Sequence, residues 1–181
     1  MDYYAIQVKT GEEDEYIRRA SRIGILSGRR FFVPRRKVIQ RKGGKDSSHL
    51  LAVFPGYLFY ETGSLGEEER WALRRVEGFY RFLPSSISPS PLDDKDRSIL
   101  LHFISFGDFA DISKVSFDEA DRIVVLEGPL KGLEGSIVKV DKRRGRAKVS
   151  LDICSTGFLV DFGFRTVEKL ARGGDNLHEA N

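Results

Sequence analysis

The sequence predicts an α+β protein of two units, a mixed N-terminal region of strands and capped helices followed by a small β-barrel. Three observations carry this. Phe54-Pro55-Gly56-Tyr57-Leu58-Phe59-Tyr60 sets a Pro-Gly turn ahead of four consecutive apolar or aromatic residues, a run too continuous for a strand wet on one face. Two segments, starting at Glu12 and Glu67, begin with acids and end with bases, the order a helix macrodipole favours. Gly128, Gly132 and Gly135 lie among five short strand candidates, which suit a closed barrel without exposed edges.

In order, Tyr3 to Val8 has strand composition and ends at Lys9-Thr10-Gly11. A helix follows, with Glu12, Glu13, Asp14 and Glu15 in its first turn and Arg18, Arg19 and Arg22 toward its end. Arg18 or Arg19 stands beside Arg22 on one helical face, and like charges so placed repel unless an anion is near. That spacing fits a nucleic-acid face or a solvated helix end. From Ile17 to Lys45 there are eleven basic residues and no acid. Phe31-Phe32-Val33 reads as a strand, followed by Pro34, Arg35 and Arg36. Val38-Ile39 and His49 to Phe54 read as arms of a hairpin with the basic tip Arg41-Lys42-Gly43-Gly44-Lys45, a functional loop or a solvated one.

The stretch Phe54 to Tyr60 is the centre of the N-terminal unit. One face of this strand is expected to build the core and the other to support an aromatic docking surface. The second helix, Gly66 to Arg75, carries the lone Trp71, a core anchor or a docking residue. Gly78 to Leu83 reads as an aromatic strand and Ser85 to Pro91 as a loop. Asp93-Asp94 caps a third helix with Ile99, Leu100, Phe103 and Ile104 as its apolar face. Phe106 to Asp121 is acidic, lacks a strong period and reads as the domain junction. Beyond it come strand, Gly128-Pro129 turn, strand, then Arg146 to Ile153, Gly157 to Phe162 and a short closing strand at Val167. Residues 173–181 read as a disordered tail.

Charge is segregated. Residues 1–90 hold 16 Lys/Arg against 11 Asp/Glu, 91–121 hold 3 against 8, and 122–172 hold 11 against 6, although the net charge is only +3. Two basic blocks flanking an acidic one favour a polyanion on particular faces. The single Cys154 excludes an internal disulfide and fits a reducing cytoplasm. No signal peptide is expected at the start, and no apolar run approaches the ~20 residues a membrane span needs. His49, His102 and His178 show no metal-ligand spacing and Cys154 no base partner, so no enzyme, metal or cofactor is expected.

The pattern Gly128-Pro129, Gly132, Gly135 resembles the KOW motif. Phe54-Pro55-Gly56-Tyr57, following Tyr3-Tyr4 and a helix, resembles the N-terminal (NGN) domain of the NusG family of transcription elongation factors, and Val167-Glu168-Lys169 fits the same pattern. The resemblance covers nearly the whole chain. It implies an antiparallel N-terminal sheet with flanking helices over 1–106, a linker over 107–120 and an SH3-like five-stranded barrel over 121–172. It also implies that Tyr4, Phe54, Pro55, Gly56, Tyr57, Phe59, Trp71 and Phe82 form or support a surface for the clamp helices of the largest RNA polymerase subunit. The protein would act as a monomer in the cytoplasm, holding the clamp shut by population shift.

Family members that contact Rho or the ribosome carry an Ile-Phe-Gly-Arg turn on the barrel. Here the matching stretch is Ile153-Cys154-Ser155-Thr156, without the aromatic anchor. That departure points to a specialised antiterminator resembling LoaP or RfaH. Its recruitment signal would be an RNA hairpin on Lys131, Lys139, Lys142, Arg143, Arg144, Arg146 and Lys148, or non-template DNA on Arg18, Arg19, Arg22, Arg35 and Arg36, with RNA favoured because Lys142-Arg143-Arg144-Gly145-Arg146 concentrates charge. The alternatives are a general NusG coupled to Rho or the ribosome and a ribosome-associated RNA-binding protein.

Overall fold

The computed structural model describes residues 1–42 and 45–167. The expected tail, residues 168 and 169 of the closing strand, and the hairpin tip at 43–44 lie outside the described residues. The N-terminal unit holds β1 (Asp2–Val8), α1 (Glu13–Ala20), β2 (Arg30–Phe32), the pair β3 (Arg35–Lys42) and β4 (Lys45–Ala52), β5 (Tyr57–Thr62), α2 (Glu67–Arg75), β6 (Phe79–Phe82) and α3 (Asp94–Ile104). Four of its strands form an antiparallel sheet in the order β2-β5-β1-β6, and β3 and β4 form a separate hairpin.

The turn before β5 is fixed by sequence-distant partners. Gly56 adopts φ +81°, and a Cβ there would lie 2.6 Å from Thr10 Oγ1, so only glycine fits without strain. The buried carboxylate of Glu13 accepts hydrogen bonds from the amides of Gly56 (2.6 Å) and Gly11 (3.1 Å). The first acid of α1 thus holds the Pro55–Gly56 turn as well as favouring its own helix end.

Alternation divides the sheet between two cores. Ile6, Val8, Leu58, Tyr60 and Phe82 pack with Tyr16, Leu73 and Val76 beneath α1 and α2. The Tyr16 hydroxyl donates to the Leu73 carbonyl at 2.7 Å, tying α1 to α2, and the Tyr60 hydroxyl to Glu69 at 2.9 Å, tying α2 to the sheet. The opposite face presents Tyr3, Ala5, Tyr57 and Phe59, which share one core with Phe54, with Leu100 and Phe103 of α3, and with the C-terminal unit.

The C-terminal unit comprises β7 (Ser113–Phe117), β8 (Ile123–Glu127), β9 (Ile137–Asp141), β10 (Arg146–Ile153) and β11 (Thr156–Thr166). The expected α+β class and strand number are observed, with two corrections. The fifth strand is β7, inside the stretch expected as a linker, and it pairs parallel with the end of β11. The order is β8-β7-β11-β10-β9, and among the described residues β8 and β9 do not pair, so the sheet curls without closing. The turn after β8 packs against β7. A Cβ on Gly128 (φ +95°) would meet Ser113 Cα at 2.7 Å, and the Leu130 amide donates to Ser113 Oγ.

Candidate functional site

The aromatic face of the N-terminal sheet is covered by the protein's own barrel. Phe158 of β11 meets Phe54 and Tyr57 edge-on, with ring centroids 5.3 Å away in each case. Phe162 stacks on Phe103 at 5.6 Å and 4°, and Phe54 is edge-on to Phe59 and Phe103. Polar ties frame these rings. Tyr57 Oη bonds Thr156 Oγ1, the Cys154 amide donates to Asp96 of α3 at 2.8 Å, and His102 lies 2.9 Å from the Pro129 carbonyl through Nε2. Burial between the units pushes the Cys154 thiol up to about 12, reinforced by the neighbouring Asp96, and burial also raises the Asp96 carboxyl.

Arg36 is the firmest link. Its Nε donates to the Asp161 carbonyl and its Nη1 to the Ala52 carbonyl, both at 2.8 Å, and its guanidinium stands 5.9 Å from the centre of the Phe162 ring. Across from it, Arg146 Nη2 donates to the Ile39 carbonyl at 2.8 Å.

The eight residues expected to form or support a docking surface occupy different places. Phe54 and Tyr57 face the barrel, with Phe59 behind them, and Pro55 and Gly56 form the turn that sets their angle. Tyr4 pairs with Tyr60 in the sheet, on the helix-covered face where Phe82 is fully buried. Trp71 is no core anchor: it is 64% exposed on α2, which packs on that other face. The expected set of surface and supporting residues is thus split between the two faces of the sheet, because adjacent strand residues point to opposite sides. Sequence reasoning missed Thr156, Phe158, Phe162 and Asp96 as partners of that face. Their signal is only the odd-even register of β11 and, for Asp96, a place in the first turn of α3.

The basic residues divide as well. Arg18 pairs with Glu15, and Arg19 with Glu15 at 2.9 Å and Glu77 at 3.4 Å. Arg35 pairs with Asp14 at 2.6 Å, and Arg36 is consumed between the units. The anion that the arginine spacing calls for is thus supplied mostly from within the chain. Arg22 is exposed without a partner among the described residues. On the barrel, Lys142 pairs with Asp121 and also covers Phe117, Arg144 lies 3.8 Å from Asp141, and Lys148 lies 3.4 Å from Asp161. Lys131, Lys139 and Arg143 are exposed and have no acidic partner among the described residues.

Residues 1–101 match the family model described as "Transcription termination factor nusG". The chain belongs to the NusG family. The transcription termination/antitermination protein NusG of Thermus thermophilus is 30% identical to it, covering 93% of this chain and 98% of that protein. The Campylobacter jejuni NusG is 27% identical over 93% of this chain and 97% of its own length, and the Vibrio cholerae NusG 29% identical over 76% of each. Among solved structures, one titled "Domain interaction in Thermotoga maritima NusG" is 19% identical, with a TM-score of 0.52 and coverage of 90% of this chain and 93% of that one. It shares the fold. NusG proteins are transcription factors and not enzymes. Among the described residues, no cluster of His, Cys, Asp and Glu could hold a metal, and no helix is long and apolar enough to cross a membrane.

Proposed function

We propose that this NusG-family chain is an elongation and antitermination factor that grips the RNA polymerase clamp helices through Phe54, Tyr57 and their turn, and that the docked arrangement is its resting form. The observation that carries this is the aromatic face under the barrel. Clustered aromatic residues of this kind dominate interface energies once desolvated. Here their cover is a second unit on a short connection, so the face can be exposed without unfolding the N-terminal core. Undocking then limits polymerase affinity by the fraction of molecules that are open.

Recruitment by an RNA hairpin on the barrel is favoured over DNA on the N-terminal arginines. Lys131, Lys139 and Arg143 are unengaged by acids among the described residues, whereas Arg18, Arg19, Arg35 and Arg36 already have partners. The turn Ile153-Cys154-Ser155-Thr156, lacking the aromatic anchor of Rho- and ribosome-coupled members, supports a specialised, operon-restricted role for a cytoplasmic monomer. A general NusG is the second reading, favoured by relatives that all bear that name.

The test is binding to RNA polymerase and transcription through a terminator, with and without the leader RNA of its operon. Phe54→Ala with Tyr57→Ala should abolish polymerase binding while the fold survives; full affinity in that variant removes the docking assignment. Capture of Rho or the ribosomal partner on the barrel would transfer the protein to the general class.

A further inference from the structure

We infer that the groove between β3 and the β9–β10 turn is a binding site for an RNA strand that both units build, so that RNA held there and polymerase on the Phe54–Tyr57 face exclude one another. The inference rests on the proposed binding of RNA by the barrel and goes beyond it in assigning half of the site to the N-terminal unit. Recruitment is then a hand-over, in which the RNA brings the docked chain to the transcript and is released before polymerase takes the Phe54–Tyr57 face.

The groove has a volume of about 810 Å³. Lys142, Arg143, Arg144 and Arg146 form its rim, and among the described residues no acid lines it. Its apolar lining comes from Ile39 of β3, Ile112 before β7 and Phe164 of β11. A cationic rim beside an apolar floor matches a nucleotide chain, with phosphates on the rim and base faces against the floor, better than a bare inorganic anion. Arg143 has no acidic partner among the described residues. The exposed pairs of Lys142 and Arg144 with Asp121 and Asp141 are weak surface ion pairs and give way readily to phosphate. Arg146 spends one donor on the Ile39 carbonyl, and that bond pins the basic turn against β3 with the remaining guanidinium donors available.

Ile39 and Gln40 belong to the N-terminal unit and the rim to the barrel, so undocking takes the groove apart. A ligand touching both walls binds the docked form better and shifts the population toward it. Since docking covers Phe54 and Tyr57, that shift is paid back reciprocally as weaker polymerase binding.

The test uses the full-length chain, a fluorescent RNA hairpin of about 20 nucleotides and a polymerase clamp-helix fragment. Arg143→Glu and Gln40→Glu should each weaken the RNA roughly fivefold or more by placing a negative charge in the groove. Gln40→Lys, at the same exposed position, should tighten it, which separates charge from misfolding. Saturating RNA should weaken clamp-helix binding about tenfold, within the usual range of coupling between sites. Weakening by Arg143→Glu without an effect of either Gln40 variant would overturn the shared site and leave recruitment by the barrel standing. No effect of any of the three would overturn both readings. RNA that leaves clamp-helix affinity unchanged or raises it would overturn the exclusion.

Discussion

Tyr57 Oη lies 3.1 Å from Thr156 Oγ1, joining the strand after the Pro-Gly turn to the tip of the β10–β11 hairpin. The hydroxyl serves docking, whereas the ring is proposed to serve the polymerase. Tyr57→Phe should weaken docking by about 1 kcal/mol and raise apparent polymerase affinity up to fivefold. Tyr57→Ala should lower it. Titration of both variants with the clamp-helix fragment checks the opposite signs, and a fall in both would mean that the hydroxyl itself contacts polymerase.

Phe158→Ala removes two edge contacts, to Phe54 and Tyr57, each worth about 0.5–1.5 kcal/mol beyond burial. The open form should gain accordingly, and polymerase binding should tighten while the N-terminal unit keeps its melting temperature. Amide chemical shifts of β5 and α3 report the opening directly.

Arg36→Ala should destabilise docking by roughly 1.5–3 kcal/mol, since it deletes the charged hydrogen bond to the Asp161 carbonyl across the units. Arg36→Lys should not rescue it, because one ammonium cannot span the Ala52 and Asp161 carbonyls as the guanidinium fork does. A phosphate contact would tolerate lysine better. The slope of RNA affinity against salt should stay at the wild-type value, which a lost phosphate contact would reduce.

Cys154 reports the docked state through its reactivity. Its ordinary value of 9.0 is pushed up to about 12, first by burial and then by Asp96. At pH 8 the thiolate, which is the reactive form, should be scarcer by about a thousandfold than in an exposed cysteine. Labelling by a thiol reagent should therefore be slow, and should accelerate on addition of the clamp-helix fragment or in Phe158→Ala. The docked value lies above the undocked one, so this group favours docking fully below pH 9.0, and its contribution is lost as pH climbs toward 12.

Gly56→Ala should cost about 1–3 kcal/mol, because φ is +81° and the new methyl would press on Thr10 Oγ1 and on the Val8 carbonyl at 3.3 Å. Urea unfolding of the full chain measures it. A loss below 0.5 kcal/mol, the scale of an ordinary surface change, would mean that the turn relaxes.

The continuous run Tyr57 to Tyr60 spoke in sequence against a strand wet on one face and left its second face to a cover or to a partner; in the structure both faces of β5 are buried, divided by the register of β1. What covers the second face was not legible, because Phe158 and Phe162 meet it only after the chain has folded back through a separate unit. Local charge counts likewise exposed the arginine cluster and hid part of what holds it, since the Glu77 carboxylate reaches Arg19 and the Asp161 backbone carbonyl reaches Arg36 across the fold. The strand β7 was lost in an acidic stretch without period. Val115 and Ser116 are both buried, so alternation fails there, and the strand is defined by pairing with β8 and β11.

That same strand sets how far the two units can ever part. Between the end of α3 at Ile104 and the start of β7 at Ser113 the chain is a leash that, even pulled straight, reaches no more than ~30 Å. Part of it is already fastened, because Ala110 exchanges backbone hydrogen bonds with Arg35 and Lys37 beside the hairpin. A released barrel therefore hovers close to its berth at a local concentration of millimolar order, and any competitor for the exposed rings must outpace its return.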